Sequence, residues 1–475
     1  MKKVKNLING NFSFTNEYIE KIDPSNEKII SHFCKSSFNE VNAAVESAKN
    51  SFEKWSEMSP VSRGDLLLDF VIILKKYKKD LAKIVAKETG KIYDHALGEV
   101  EGSIKLAHFF SSESMRLYGR SIVSGNHLKN GYTVKCPVGV AGLIVPANTP
   151  IANIAWKVFP ALVCGNTIVL KSSEDAPETA EFFCELSKKT NIPDGVINLI
   201  HGLGSEAGNC IVEHPIVDLI SFTGSSFTGK IINQNCAKNF KKVSLELGGK
   251  NPFIVCDDAD IDNALNWCIS SAFSNAGQRC AAASRLLVQE NIYDDFIEKM
   301  KTKMKDLKLG INSDSFLGPV MNKKLYNTII DYIKVANNEG AKIYQSGIDD
   351  NKNGYYIKPT IIENLPVEST LNDIEFFGPV VIAYKFKDDI DAINISNNSI
   401  YGLTSCVHTS NVERAVKFTR KMNFGLCNIN SATYGSEPHM PFGGTKNSGN
   451  GSREPGTEAI DFYTELKMIS FTTKD

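Results

Sequence analysis

The chain has 475 residues, of which 42% are hydrophobic, 23% charged and 9% aromatic. That is the composition of an ordinary globular protein and excludes disordered and collagen-like classes; at about 150 residues per domain, the length fits two large domains or three smaller ones. Fifty-three Lys and Arg against 54 Asp and Glu leave a net charge of -1, which gives no whole-chain attraction to nucleic acid or to an anionic membrane. The longest apolar stretch, Leu66 to Leu74, is broken by Asp69 and is far shorter than the roughly 20 residues a membrane helix needs. Lys2, Lys3 and Lys5 are not followed by the apolar core of a secretory signal, so a cytoplasmic protein is expected. Eleven cysteines, none two to four residues from another, argue against a disulfide framework and a zinc knuckle and predict reduced, buried thiols. The sequons at Asn11 and Asn394 then carry no meaning.

In chain order, Val41, Ala44, Val45, Ala48, Phe52 and Trp55 recur at helical spacing between Ser37 and Trp55. A second helix starts at Pro60 behind Ser59. Residues 117 to 137 alternate around Gly125 and Gly131, as in a hairpin that leaves the main body and makes subunit contacts. From 138 onward, short β-branched runs alternate with helical patterns: VGVAGLIV, TIVLK, GVINLI, VDLISF and KVSLEL. This predicts an α/β fold built on a parallel sheet with right-handed crossovers. Such sheets bind ligands beyond the carboxyl ends of their strands, where Asn148, Lys171, Glu174, Thr223, Gly224, Ser225 and Glu246 form a strongly polar edge. After Gly248-Gly249 a second series begins with PFIVC, RLLVQ, PVVIAYKF, SCVHT and LCNIN, which predicts a domain boundary. The last run, LKMISFTT, has no following helix and is expected to pair with something distant or with another subunit.

The glycine fingerprint of the common dinucleotide turn is absent, because Gly202, Gly204 and Gly208 are wrongly spaced. FTGSSFTG at 222 to 229 follows a strand and opens a helix; a phosphate seat and a glycine-capped turn are both open readings. Cys280 lies in a glycine-containing turn, FSNAGQRC. Glu246 ends a strand beside two glycines. Alone, the first reads as a small buried hydrophobe and the second as a surface acid; together with the polar strand edge they are the parts of a covalent catalytic site.

Nearly the whole chain resembles the aldehyde dehydrogenase superfamily, the hydrolytic NAD(P)-dependent enzymes. The likeness rests on motifs in order: PANTP with Asn148, KSSE with Lys171 and Glu174, FTGSSFTG, LELGGKNP with Glu246, GQRC with Cys280, EFFGP with Glu375, and PFGGTKNSG. The resemblance implies that Cys280 is the nucleophile, that Asn148 and the Cys280 backbone N–H hold the oxyanion, and that Glu246 is the general base for hydrolysis. Lys157 matches a lysine that assists proton movement; an ordinary helix-surface lysine is the other reading.

For the cofactor, NAD or alternatively NADP, the resemblance assigns Lys171 and Glu174 to the adenosine ribose. Thr223, Gly224 and Ser225 go to the pyrophosphate side, Glu375 to the nicotinamide ribose and Phe377 to the ring. It further implies a Rossmann-like cofactor domain (1-116 and 138-248), a catalytic domain (249-448) and an oligomerisation element (117-137 and 449-475) in a homodimer or homotetramer. Three departures stand out. Ala147 and Thr149 replace the aromatic residues that often flank the catalytic asparagine, which widens the tunnel or makes it more polar. Ser172 replaces a proline, which would loosen the adenosine loop. SGNGSREPG carries one residue more than the usual stretch.

The substrate expectation is a small polar aldehyde, a hydroxyaldehyde or a semialdehyde. Arg279 flanks the nucleophile and Glu437 and His439 precede the PFGG turn; for Arg279 a substrate carboxylate and a structural salt bridge are both open. Trp156 and Phe442 offer an apolar wall, so an aliphatic or aromatic aldehyde is the alternative. A cysteine hydrolase would need His201, His214 or His439 beside Cys280. A CoA-acylating relative would typically lack the glutamate at Glu246, and a non-catalytic binding protein would be expected to lose one of Cys280, Asn148 and Glu246.

Overall fold

The computed structural model describes residues 1–351 and 353–474. Two seven-stranded sheets organise the chain. The first runs, edge to edge, through Lys242–Glu246, Val217–Thr223, Val140–Ile144, Thr167–Lys171 and Ile197–Ile200, all parallel, and is completed by the antiparallel strands Asn6–Ile8 and Asn11–Ser13. Val140–Ile144 comes first in sequence among the parallel five and has later strands on both sides. The order reverses there, and a crevice opens beyond its carboxyl end. Leu143, Val169, Leu170, Leu199 and Ile220 are fully buried, which is why these strands read as continuous apolar runs.

The second sheet follows the order Lys342–Gln345, Thr360–Glu363, Val380–Phe386, Ala283–Gln289, Asn251–Val255, Thr404–His408 and Leu426–Ile429, with only the first strand antiparallel. Only the Leu247-Gly248-Gly249-Lys250 segment separates the last strand of one sheet from the first-in-sequence strand of the other. The expected helices form with the expected caps. The helix Phe38–Glu57 opens with a capping box between Ser37 and Glu40 and buries Val41, Ala44, Val45, Ala48 and Trp55. Ser59 caps Pro60–Lys76 through the Ser62 N–H, leaving proline at a first-turn position that needs no donor.

The C-terminal strand Thr464–Thr472 pairs antiparallel with Lys129–Pro137 of the same chain, which also pairs with Ser121–Ile122. Residues just before it belong elsewhere: Ala459, Ile460, Phe462 and Tyr463 pack into the core that backs the first sheet. The sequence reading missed a small sheet of Lys2–Val4, Ile29–Cys34 and Tyr18–Ile22. These strands are short and carry lysines and a glutamate, so they lack the apolar alternation that signals a strand. Among the described residues all eleven cysteines are free, no helix is long and apolar enough to cross a membrane, and no cluster of metal-ligating side chains occurs.

Candidate active site

A cleft of about 370 Å³ opens where the two sheets meet, lined among others by Asn148, Thr149, Asn153, Trp156, Thr223, Gly224, Ser225, Glu246, Cys280, Glu375, Phe377 and Phe442. Residues spread over almost three hundred positions therefore converge on one space. Asn148 lies beyond the switch-point strand, Thr223 ends its neighbour Val217–Thr223 with Gly224 and Ser225 just beyond, and Glu246 ends the edge strand.

Cys280 is carried by a strained turn. Asn275, Ala276 and Gly277 have φ of 55°, 53° and 67°, a left-handed run unfavourable for any side chain with a Cβ. Gly277 cannot be replaced cheaply, since a Cβ there would lie 2.0 Å from the Gly378 carbonyl oxygen. Asn251 braces the far side, its Nδ2 donating to the carbonyls of Cys280 (2.7 Å) and Ala282 (2.8 Å). Burial pushes the Cys280 thiol up to about 12, helped by the Glu375 and Glu246 charges, while the backbone N–H groups of Ala281 and Cys280 act the other way.

Among the described residues, four buried oxygens lining the cleft find no partner: Asn148 Oδ1, Thr223 Oγ1 and both carboxyl oxygens of Glu246. Unsatisfied polar atoms are costly in a core and are expected where a ligand or reacting water is met. Asn148 is otherwise firmly held, its backbone carbonyl accepting from Lys91 Nζ at 2.8 Å. Burial holds the Glu246 carboxyl well above the usual carboxylate range; the nearby Glu454 adds to this, while Lys157 and Arg453 oppose it. In the PFGG turn, a Cβ on Gly443 would come within 2.8 Å of Glu246 Oε1; the glycine lets the turn press against the carboxylate.

Lys157 is neither a surface lysine nor a lining residue. Its Nζ is buried and bonds Ser221 Oγ (2.6 Å) and Glu454 Oε2 (2.7 Å), and Ser221 Oγ and Tyr463 Oη donate to the other Glu454 oxygen. Glu454 is the residue the sequence reading missed. It sits in the SGNGSREPG stretch, whose extra residue blurred the motif, and its only sequence signal was a carboxylate near the final glycines.

The cofactor candidates divide into two groups. Thr223, Gly224, Ser225, Glu375 and Phe377 line the cleft; Thr223 Oγ1 is buried and unpartnered, and Ser225 caps the helix Ser226–Ala237. Burial brings Glu375 up to about 7, and it accepts the Gly249 N–H at 3.1 Å. Lys171 and Glu174 lie one strand further along, 3.1 Å apart. The Gly204 N–H donates to Glu174 Oε1 at 2.6 Å, so one carboxylate oxygen is anchored and the other remains for a ligand. Ser172, which stands where a proline was expected, is buried and its hydroxyl bonds His201 Nδ1 at 2.6 Å. An apolar cleft with an orphaned hydroxyl and two buried carboxylates at its polar edge fits a dinucleotide.

Of the substrate candidates, Trp156 and Phe442 face each other at 5.3 Å between ring centroids, whereas Glu437 and His439 stay exposed and do not line the cleft. The turn that carries them runs along the surface before Phe442 dips inward. Arg279 forms no salt bridge with a carboxylate among the described residues; its guanidinium stacks 4.1 Å above the Tyr434 ring. His201 is enclosed by Ser172 and the Lys5 carbonyl, His214 meets Asn42, and His439 is exposed. No histidine among the described residues lines the Cys280 cleft, which removes the base a cysteine hydrolase requires.

Residues 12–469 match the aldehyde dehydrogenase family. The chain is 38% identical over 460 residues to an aldehyde dehydrogenase of Aspergillus niger, covering 96% of this chain and 92% of that one. To the 2-aminomuconic semialdehyde dehydrogenase of Homo sapiens it is 37% identical, over 98% of both chains. The solved structure of betaine aldehyde dehydrogenase from Staphylococcus aureus in complex with NAD+ superposes with a TM-score of 0.96 at 34% identity, over 99% of this chain and 95% of that one. With that likeness running end to end and a thiol, a carboxylate and an amide meeting in one cleft, the chain belongs to the aldehyde dehydrogenase family and is an NAD(P)-dependent aldehyde dehydrogenase.

Proposed function

We propose that the protein oxidises a small polar aldehyde, a hydroxyaldehyde or a semialdehyde, to the carboxylic acid, with Cys280 as nucleophile and Glu246 as hydrolytic base. The observation that carries this reading is the convergence of Cys280, Asn148 and Glu246 on one cleft, with the polar ends of the last two unpartnered. The Cys280 thiolate attacks the aldehyde carbon, forming a C–S bond and moving the carbonyl pair onto oxygen. The Asn148 side-chain amide and the Cys280 N–H hold that oxyanion. When bound, the nicotinamide dinucleotide supplies the acceptor for the hydride that leaves the carbon, and a thioester to Cys280 remains. Glu246 takes a proton from water as it attacks the thioester carbon; the C–S bond breaks and the thiolate is regenerated. Lys157 and Glu454 act behind this step by setting the field at Glu246.

The residues that hold the dinucleotide are Lys171 and Glu174 at the adenosine ribose, Thr223, Gly224 and Ser225 toward the pyrophosphate, Glu375 at the nicotinamide ribose and Phe377 against the ring. The anchored Glu174 carboxylate disfavours a 2'-phosphate by like charge, so NAD is the expected cofactor. Comparing kcat/KM for the two cofactors should give a preference for NAD of about fivefold or more. Equal values or a preference for NADP would refute the assignment of Glu174.

Arg279 supports the polar substrate. A half-buried guanidinium held flat on Tyr434, next in sequence to Cys280 though not itself among the residues lining the cleft, and free of a carboxylate partner among the described residues, is available for a bidentate contact with a substrate carboxylate. Burial holds the nearby His95 imidazole below its usual range, and the Arg279 and Lys91 charges add to this. Thr149 and Asn153, bonded to each other at 2.9 Å, add polarity to the wall. The reaction is followed by reduced-cofactor absorbance with lactaldehyde, succinate semialdehyde, hexanal and benzaldehyde, with and without CoA. Arg279→Ala should lower kcat/KM for succinate semialdehyde by about tenfold or more and spare hexanal. Hexanal or benzaldehyde as best substrate, with a ranking unchanged by Arg279→Ala, would favour the aliphatic or aromatic reading, and a CoA requirement would refute hydrolysis.

We assign 1-116 and 138-248 to cofactor binding, 249-448 to catalysis, and 117-137 with 449-475 to oligomerisation. Support for the last comes from the three-stranded sheet, which leaves Ile122, Tyr132, Leu466, Met468 and Phe471 exposed, an apolar group of the kind a second copy covers.

A further inference from the structure

Lys21 lies in the small N-terminal sheet, on Tyr18–Ile22, with 2% of its side chain exposed and its Nζ 3.8 Å from Asp175 Oδ1. A lysine head group is removed from water at large cost unless charge compensates it. Burial lowers its pKa, and Asp175, Glu88 and Asp23 pull it back. Glu88 is itself fully buried and caps the helix Pro177–Ser187, accepting from the N–H groups of Glu178 (2.7 Å) and Thr179 (2.8 Å).

Asp175 faces two ways. It follows Glu174 directly, at the end of the 171–175 loop. Its Oδ2 accepts from Asn322 Nδ2 at 2.6 Å, and Asn322 Oδ1 accepts the Leu325 N–H at 2.8 Å to cap the helix Lys323–Asn338. That helix contributes Leu325, Thr328 and Tyr332 to the cleft wall. A buried ammonium thus lies 3.8 Å from a carboxylate that ties the loop of one sheet to the cleft helix of the other.

We propose that Lys21 is a positioning residue for the dinucleotide: its ammonium holds Asp175 between the 171–175 loop and Asn322, and so keeps both walls of the cofactor site in register. This rests on the reading that Lys171 and Glu174 hold the adenosine ribose. Without the ammonium, the buried Glu88 and the partly exposed Asp175 face each other's charge with no cation between them, and Asp175 is driven toward solvent, taking the loop with it.

The test is NAD+ binding to the full-length protein by calorimetry, with kcat measured alongside. Lys21→Met should raise the Kd for NAD+ by about tenfold or more, with kcat at saturating cofactor within about threefold of the parent. Lys21→Met combined with Asp175→Asn should bring Kd back to within about threefold, because the neutral amide oxygen introduced there still accepts from Asn322 and no longer needs a cation. A merely structural lysine would lower the Tm of the single variant and leave Kd alone; a folded Lys21→Met within about twofold of the parent Kd overturns the proposal. Should that variant not fold, Asn322→Ser keeps a capping hydroxyl but is too short to reach Asp175, and an unchanged Kd there overturns it equally. Glu174→Ala separates the two readings. An unchanged Kd in that variant refutes the ribose assignment, whereas a raised Kd there with an unchanged Kd in Lys21→Met refutes the role of Lys21 alone.

Discussion

Cys280→Ala is expected to abolish aldehyde oxidation while NAD+ binding survives. The thiol lines the cleft but contributes chemistry and little contact area, whereas the residues proposed for the cofactor, Glu174, Thr223, Ser225 and Glu375, lie on other elements. Removing the nucleophile deletes the covalent route, because no other cysteine lines this cleft among the described residues. Turnover should fall below about 1% of the parent, a loss of at least about 2.7 kcal/mol of barrier stabilisation. Calorimetry with NAD+ is the control for folding and for the cofactor site. Residual turnover above that level in a folded, cofactor-binding variant would take the nucleophile's role away from Cys280. The thiol's elevated pKa means that it is stored protonated; oxidation should therefore quicken as pH rises, and this dependence must vanish with Cys280.

Much of this arrangement was legible in the sequence, and the reasons differ between its parts. The parallel strands were readable because burial on both faces demands unbroken apolar runs such as TIVLK and VDLISF, and the helices because apolar residues recur at helical spacing after Ser37 and because Ser59 precedes Pro60. The site was readable because its residues sit at or just past the carboxyl ends of those strands, where Asn148, Thr223 and Glu246 have no structural reason to be polar. The N-terminal strands were not, since KKV shows only one buried apolar residue and YIEKI carries a charge at an inward position that only its partner explains: Lys21 is buried with Asp175 beside it. The same limit hid Glu454, whose importance comes from Lys157 and Ser221, 297 and 233 residues away. Glu437 and His439 show what closeness in sequence leaves undecided: they precede the PFGG turn, yet both side chains are exposed and only Phe442 joins the cleft lining. For Arg279 the sequence left a salt bridge and a substrate contact open, and the stack on Tyr434 leaves no salt bridge among the described residues.

Glu246→Gln should separate the two halves of the reaction. Glutamine keeps the size of the side chain in a site where Gly443 presses on it, so the cleft and the thiohemiacetal step are preserved, but an amide cannot take a proton from water. A stopped-flow trace should show a burst of reduced cofactor close to one equivalent per active site, followed by steady turnover slower by about two to four orders of magnitude, the usual worth of general-base assistance. The pH dependence carries the sign. Burial and Glu454 hold the Glu246 carboxyl above its ordinary range, because both penalise the charged form. Below its pKa it carries a proton and cannot act as base, so the hydrolytic rate in the parent rises as pH increases through that value. In Glu246→Gln this limb should disappear and leave a slow rate that follows hydroxide alone. A folded variant that gives no burst would move Glu246 to a step before hydride transfer, as the group that deprotonates Cys280. A variant with parental turnover would leave the two unpartnered oxygens of a buried carboxylate without a function.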